Sequence, residues 1–306
     1  MNEKRGSFHL YALTAIFCWS LAYPFTRMAV RHFSATSLGF LRYVIASGVL
    51  AVTAAALGIA PPERRDWWRI AASGAAGFFL YMIAFNIGSI TETSATGSIV
   101  VSTAPVISAL LGRALYGERL SVLQWLATAV EFAGMLVLTI MSGSLSAGAG
   151  VIWLLLAAVA LSAYNLLQRG LTRIYSGLRS SIYSIFAGTV MLAVFAPGAV
   201  EQASSAPPEQ LVYVAILGVF TSAAAYVSWS VAMERAPDTS SVSNYMFLTP
   251  FFATILGFLI ADDHPDPGTL SGGAIILFGV FLFNMGGRRA QARPQGKRAG
   301  PVSPAR

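Results

Sequence analysis

Two ionisable side chains lie inside long apolar runs of the sequence, and they offer its most specific chemistry. Arg42 falls in the run 35–57 and Glu131 in the run 122–141. Ionisable groups are expensive in hydrocarbon, so such residues are candidates for a functional role. The Arg42 guanidinium can bind a carboxylate or extend to the water interface. Glu131 can pair with a polar neighbour, stay protonated or take part in proton coupling, and we favour a structural role for it.

A second group of candidates consists of aromatic and small polar side chains within the apolar runs. Aromatic rings make walls for apolar side chains and amines, and hydroxyls and amides bind polar groups without a buried charge. The candidate substrate-binding residues are Trp19, Tyr23, Tyr81, Ser98, Tyr164, Asn165, Tyr226, Trp229, Ser243 and Tyr245. Two other roles stay open for them: a place in the aromatic belt at the membrane interface, and close packing between helices.

Three prolines lie where they would bend helices beside these candidates. Pro24, Pro105 and Pro250 each remove a backbone donor and free a carbonyl group on the preceding turn. We interpret them as hinges, with a fixed packing kink as the alternative.

The sequence contains no combination of residues typical of a catalytic or metal site. Cys18 is its single cysteine, and His9, His32 and His264 are scattered along the chain. One thiol and separated imidazoles do not make a metal site. We therefore predict a protein without a cofactor, without a bound metal and without enzymatic activity.

The composition shows which elements must position these candidates. Of the 306 residues, 56% are hydrophobic and 11% are charged, against about 25% charged in soluble domains. One soluble core cannot bury that apolar surplus, so lipid is the solvent. Runs long enough to cross a bilayer predict an all-α integral membrane protein with ten transmembrane helices. The predicted spans are 9–27, 35–57, 70–90, 94–115, 122–141, 150–168, 179–197, 210–233, 239–260 and 268–286.

Basic residues predict the orientation of these helices. Most of the 20 Lys and Arg residues fall in segments on the same side as the N-terminus, whereas Arg27 and Arg31 lie on the opposite side. Because loops rich in Lys and Arg stay in the cytoplasm, both termini are predicted inside. This topology explains the net charge of +7, so we expect no nucleic-acid partner. The stretch 288–306 is predicted to be a disordered basic cytoplasmic tail.

The chain also contains an internal repeat. A shift of 145 residues places Tyr81 on Tyr226, and a shift of 142 aligns the first helices of the two copies. We interpret 8–141 and 148–287 as two five-helix units. An odd number of helices inverts the second unit relative to the first, and inverted repeats suit alternating access. Duplication for stability alone remains the alternative.

Five stretches of the sequence carry a family resemblance: CWSLAYPFTRMAVRHFSATSLGFLRY, TAPVISALLGRALYGERLSVLQWLATAVEFAG, LSAYNLLQRGL, LTPFFATILGFLIADD and ILFGVFLF. They resemble the drug/metabolite transporter (DMT) superfamily, in its ten-helix form with two EamA domains. Within it, the chain looks closest to the branch that exports aromatic and other neutral amino acids from bacteria. The GERL of 117–120 becomes ADDHP at 261–265, so the second copy lacks the Arg of the first.

The resemblance implies a multi-pass transporter of the bacterial cell inner membrane. It would export small metabolites, aromatic and other neutral amino acids above all, by alternating access around a midplane cavity. Its partners would be a small-molecule substrate and the lipid bilayer, and the oligomeric state is left open. Two alternatives also stay open: an exporter of drugs, cationic amines or another metabolite, and a structural membrane protein without a transport cycle.

Overall fold

The computed structural model describes residues 8–91, 100–101, 103–117, 120–141, 150–261 and 267–292. Within these ranges the backbone forms helices and short connections, without a β-strand. The all-α prediction is therefore confirmed for the described residues. The candidate Ser98 lies outside them, as do residues 118–119 of the GERL turn and the segment 293–306.

The first half of the chain contains helices interrupted by irregular turns. Its α-helices are α1 Phe8–Ser20, α2 Ala22–Ala29, α3 Ala35–Ala56, α4 Trp67–Gly74, α5 Tyr81–Thr91, α6 Ala104–Tyr116 and α7 Val122–Met141. A 3-10 turn, Arg64–Asp66, precedes α4, and a π-helical segment, Ala75–Leu80, joins α4 to α5.

The second half contains the same kinds of interruption. Its α-helices are α8 Gly150–Leu171, α9 Gly177–Leu192, α10 Ala196–Ser204, α11 Pro208–Ile216, α12 Ala225–Arg235, α13 Thr239–Ser243, α14 Thr249–Ala261 and α15 Pro267–Ala292. A 3-10 turn, Ala193–Phe195, joins α9 to α10, and a π-helical segment, Leu217–Ala224, joins α11 to α12. A 3-10 segment, Asn244–Leu248, joins α13 to α14.

Six helical segments of the described chain are long and apolar enough to cross a bilayer. They are Phe8–Thr26, Ala35–Ala56, Arg64–Gly88, Gly150–Leu171, Gly177–Ser204 and Pro208–Arg235. Two further apolar helices, Ala104–Tyr116 and Ser271–Gly286, are shorter. The count of ten spans, the N-in/C-in orientation and the inverted repeat stay predictions.

The outward faces of these helices are apolar. Large hydrophobic side chains are exposed on them, among them Leu10, Val52, Ile152 and Val190. Helices satisfy their backbone hydrogen bonds internally, so such faces are stable in lipid. Polar and aromatic side chains lie inside the bundle instead, and the largest fully buried ones include Trp229, Tyr43 and Tyr164.

Two serines cap the helices that follow the first helix of each half. Ser34 Oγ accepts a hydrogen bond from the backbone N–H of Ser37 at 3.2 Å, and Ser176 Oγ accepts one from that of Arg179 at 3.3 Å. Their backbone angles agree, with φ −62° at both and ψ of 154° and 153°. The two caps stand at matching positions under the shift of 142 residues that aligns the first helices.

The last helix is longer than its hydropathy predicts. α15 continues to Ala292, so residues 288–292 are helical and do not belong to the predicted disordered tail. The reason is that helix propensity does not require apolar residues, and Arg, Ala and Gln are good helix formers. The remainder of that predicted tail lies outside the described residues.

Candidate functional site

A cavity of about 600 Å³, its open mouth included, lies between helices of both halves. It is lined by Trp19, Ala22, Tyr23, Arg42, Tyr81, Met82, Phe85, Val101, Leu161, Tyr226, Met246 and Thr249. Four of the predicted substrate-binding residues therefore meet here, together with Arg42: Trp19, Tyr23, Tyr81 and Tyr226.

Arg42 supplies the positive charge of the cavity. Its Nη2 donates to Thr221 Oγ1 at 2.8 Å, its Nε donates to Ser222 Oγ at 3.3 Å, and its Nη1 lies 4.0 Å from Met82 Sδ. The residue is 3% exposed, and the ion pairs of the described chain do not include it. Hydroxyl acceptors leave the charge of a guanidinium uncompensated and some of its five N–H groups unused. An anion in the cavity can therefore bind it.

Tyr226 is the centre of the aromatic wall. Its ring meets the Trp19 ring nearly edge-on, with centroids 5.0 Å apart, and it meets the Phe78 ring at 4.7 Å. Phe78 in turn packs against Tyr43 at 5.2 Å and against Tyr164 at 5.3 Å. Such edge-to-face contacts hold each ring in one orientation. The Tyr226 wall is therefore supported from behind by a buried aromatic cluster.

A second set of rings comes from α5 and α2. Tyr81 and Phe85 are four residues apart on α5, so they share a helix face, and they stack with centroids 5.6 Å apart. The Tyr23 and Phe85 rings are nearly perpendicular, with centroids 6.4 Å apart. All three residues line the cavity.

Tyr81 and Tyr226, which the shift of 145 residues aligns, both follow a π-helical segment. Ala75–Leu80 ends immediately before Tyr81, and a single residue, Ala225, separates Leu217–Ala224 from Tyr226. A π-helical turn holds more residues than an α-helical turn, which changes the direction of the side chains after it, and such turns are frequent at functional sites. The same irregularity thus precedes a cavity-lining ring in each half.

Two of the predicted hinge prolines adjoin interrupted helices. The first helix breaks at Leu21, between α1 and α2, because Pro24 has no N–H to donate to the carbonyl group of Ser20. Pro250 is the second residue of α14, and Thr249, which lines the cavity, separates it from the 3-10 segment. Pro105 lies in the first turn of α6, where a missing N–H costs little. The hinge roles stay predictions.

Three other candidates lie behind the cavity wall. The Asn165 side chain donates from Nδ2 to Ser108 Oγ at 3.3 Å and accepts at Oδ1 from Trp229 Nε1 at 2.9 Å. Tyr164, Asn165 and Trp229 are fully buried. Trp229 packs against the lining residue Trp19 with ring centroids 4.9 Å apart. These residues do not line the cavity themselves and act on it through the side chains packed between them and it.

Two other candidates, Ser243 and Tyr245, do not line the cavity. Ser243 Oγ donates within its own helix to the carbonyl oxygen of Thr239 at 3.0 Å. The Tyr245 hydroxyl hydrogen-bonds to His9 Nδ1. Ser98 lies outside the described residues, so its position is left open.

Several lining residues were missed by the sequence reasoning: Ala22, Met82, Phe85, Val101, Leu161, Met246 and Thr249. Phe85 carried a usable signal, since the i,i+4 spacing from Tyr81 predicts the same helix face. The apolar members carried none, because lipid-facing positions and cavity positions select the same residue types.

A buried polar cluster joins three helices next to the aromatic wall. Gln168 Nε2 donates to Ser180 Oγ and to Ser230 Oγ, both at 2.5 Å. Ser181 Oγ lies within hydrogen-bonding distance of Ser230 Oγ at 2.5 Å and donates to the carbonyl oxygen of Tyr226 at 2.9 Å. The cluster therefore ties α8, α9 and α12 together directly beside a cavity-lining residue.

Charged side chains fasten the end of the bundle beyond this cluster. Arg169 donates to three backbone carbonyl oxygens at or just after the end of α12, those of Met233, Ala236 and Pro237.

Tyr175, which lies outside the spans, forms a second polar contact, in which its hydroxyl donates to Asp66 Oδ2 at 2.7 Å. Burial, and after it this bond to a carboxylate, raises the pKa of Tyr175. The phenol therefore stays a hydrogen-bond donor at neutral pH.

Glu131 lies away from the cavity, on α7. It is fully buried, and its Oε1 accepts a hydrogen bond from Asn244 Nδ2 at 2.9 Å. Gly279 of α15 lies directly against it, since a Cβ atom there would come within 2.4 Å of Glu131 Cγ. The close approach of α15 thus seals Glu131 from lipid.

The described ranges hold no group of three His, Cys, Asp or Glu side chains placed to bind a metal. Apolar helices around a cavity with aromatic walls and one cation among its lining residues are typical of a membrane protein with a small-molecule site. The sequence profile of the EamA-like transporter family matches residues 6–140 and 148–285. The chain belongs to this family, so the family resemblance and the prediction of a multi-pass membrane transporter are confirmed.

Relatives along the whole chain have related descriptions. The "Probable terminal-alkyne amino-acid exporter" of Streptantibioticus cattleyicolor is 32% identical over 92% of this chain and 95% of that protein. An uncharacterised transporter of Bacillus subtilis is 27% identical over 92% of each chain. A solved crystal structure with 20% sequence identity superposes with a TM-score of 0.76 over 94% of this chain and 100% of the other, which shows that the two share a fold.

Proposed function

We propose that this protein exports neutral amino acids with aromatic or other apolar side chains across the bacterial inner membrane. One observation carries the proposal. The Arg42 guanidinium lines a cavity with aromatic walls, and none of the lining residues is acidic in the part of the chain that the structure describes. A buried cation with free donors beside aromatic rings suits a molecule with a carboxylate and an apolar body.

The cavity offers a separate place for each part of such a substrate. The carboxylate binds the Arg42 N–H groups that Thr221 and Ser222 leave unused. The side chain packs against the rings of Trp19 and Tyr226. The ammonium group lies over an aromatic face, where a cation is attracted without needing a carboxylate partner.

The same charge argues against the alternative of an exporter of drugs or cationic amines. A cationic substrate would have to enter a low-dielectric cavity that already contains Arg42, and like charges repel strongly there. The family membership argues against a structural protein without a transport cycle. Export as the direction is supported by the relative described as an amino-acid exporter.

The proposed transport cycle is alternating access between two inverted five-helix units, 8–141 and 148–287, with both termini in the cytoplasm. Two pairs of matching features support the repeat: the helix caps at Ser34 and Ser176, and the π-helical segments before Tyr81 and Tyr226. Interrupted helices beside a substrate site are typical of transporters built from inverted repeats.

Counterflow in proteoliposomes tests the proposal. Vesicles are loaded with one unlabelled amino acid at a time, and entry of the labelled compound is followed, with protein-free vesicles as the control. We expect counterflow with phenylalanine, tryptophan or methionine, and none with phenylethylamine, which lacks the carboxylate. Counterflow of the amine without counterflow of any amino acid would contradict the assignment and favour the cationic-amine alternative.

A further inference from the structure

Glu131 and Asn244 form a buried pair with one hydrogen bond where their chemistry allows two. Asn244 Nδ2 donates to Glu131 Oε1 at 2.9 Å. The second oxygen of each group, Glu131 Oε2 and Asn244 Oδ1, is buried without a hydrogen-bond partner. The residues are 0% and 2% exposed, so bulk water does not satisfy these atoms.

One proton would satisfy both orphaned oxygens. A carboxylate oxygen and an amide oxygen are both acceptors, so in the ionised state they cannot bond to each other. A protonated carboxyl group donates from Oε2 to the amide oxygen while its Oε1 accepts from the amide N–H. Buried polar atoms are nearly always paired, so two orphaned acceptors on one bonded pair indicate the missing donor.

Among the side chains that the structure describes, none packed around Glu131 carries a positive charge that would hold the ionised form. α7 carries no other titratable residue, and the elements packed along it are α15 and the 3-10 segment. The 3-10 segment contributes Tyr245, whose hydroxyl bonds to His9. α15 contributes Arg288 and Arg289 at its far end, where side chains are outside the description. Arg42, at the cavity, bonds to Thr221 and Ser222.

The pair is also connected to the substrate cavity. Asn244 is the first residue of the 3-10 segment Asn244–Leu248, and Met246 of that segment lines the cavity. Short 3-10 stretches within a helical run often mark hinges. A change at Glu131 therefore acts on the element that forms part of the cavity wall.

We propose that Glu131 is a proton-binding site that couples proton movement to the opening of the cavity. This inference rests on the proposed transport function. With the proton bound, Glu131 Oε2–H donates to Asn244 Oδ1 and holds the 3-10 segment against α7. When the segment moves away from α7, the second hydrogen bond is lost and water reaches Glu131 Oε2. The O–H bond then breaks, the proton passes to that water, and the carboxylate keeps the electron pair, which holds the segment in its released position.

Glu131→Gln tests the coupling, because the glutamine amide reproduces the protonated pair permanently. Its Nε2 donates to Asn244 Oδ1, and its Oε1 accepts from Asn244 Nδ2. Glu201→Gln is the matched control, since it makes the same change at an exposed position of α10. In proteoliposomes we expect E131Q to retain substrate counterflow and to lose accumulation driven by an imposed pH gradient. E201Q keeps both activities.

A second measurement detects the proton bound to Glu131 without a transport assay. Infrared difference spectra of the purified protein across a pH titration should contain the carbonyl stretch of a protonated carboxyl group, lost in E131Q and kept in E201Q. A band that E131Q leaves intact overturns the proton site. Gradient-driven accumulation that survives in E131Q, or is absent from the wild type, overturns the coupling. If the wild type shows no counterflow, the proposed function fails, and the infrared result still decides whether the proton site exists.

Discussion

Replacing Arg42 by Gln should weaken recognition of the substrate carboxylate by a predictable amount. Arg42 is the one cationic side chain among the lining residues of the described cavity, and it is 3% exposed. A hydrogen bond to a charged group contributes about 1.5–3 kcal/mol. Since about 1.4 kcal/mol corresponds to a factor of ten, the affinity for an amino acid should fall about 10- to 150-fold.

The assay separates this role from a structural one by changing the substrate as well as the protein. Counterflow KM is measured for phenylalanine, and counterflow of phenylalaninamide, which keeps the ring and the amine but lacks the carboxylate, is followed beside it. R42Q should raise the KM for phenylalanine and admit the amide, because the charge that excludes a cation from the cavity is gone. Thr221→Val is the control variant, because it removes a hydrogen-bond acceptor of Arg42 and leaves the guanidinium in the cavity. T221V should keep the KM for phenylalanine near the wild-type value and still exclude the amide.

A lower transport rate in R42Q, with an unchanged KM for phenylalanine and continued exclusion of the amide, would refute the reasoning. In that case Arg42 would act by holding Thr221 and Ser222 in the π-helical segment, and the carboxylate would bind elsewhere. The cavity would then lose the feature that distinguishes amino acids from amines.

Two further predictions concern packing, and both are read from the thermal unfolding midpoint of the detergent-purified protein. Gly77→Ala places a Cβ atom 2.3 Å from Tyr164 Cδ2, and overpacking of this kind costs about 1–3 kcal/mol. Gly48→Ala, with no atom within 4 Å of the new Cβ, should leave the midpoint unchanged or raise it, so equal shifts for the two variants would contradict the packing argument. Trp229→Phe removes the donor to Asn165 Oδ1 and leaves a buried acceptor unpaired, at about 1–3 kcal/mol; an unchanged midpoint would show that this bond adds no stability.

The helical class and the lipid environment could be predicted because both depend on composition and run length. An apolar run of about 20 residues has few stable solutions other than a spanning helix, whatever its neighbours are. The ends of helices were harder to predict. α15 runs past its apolar residues to Ala292, because helix propensity there is independent of hydropathy.

The candidate site could be predicted in part. Repeat matching and intramembrane charge selected Tyr81, Tyr226 and Arg42, which meet at the cavity. The same reasoning selected Tyr164 and Trp229, which are fully buried behind it. Residue type cannot separate the two groups, because an aromatic ring suits a cavity wall and a packed interior equally well.

The sequence alone determines that lipid is the solvent, that the architecture is helical, and which few side chains have unusual chemistry. Each of these depends on local composition. Only the packed bundle decides which way those side chains point. A residue added in a π-helical turn, as before Tyr81 and Tyr226, rotates everything that follows it. Likewise, whether Arg42 reaches the interface or the cavity, and whether Glu131 meets Asn244 or lipid, depends on helices distant in sequence. No local sequence pattern predicts either of these two contacts.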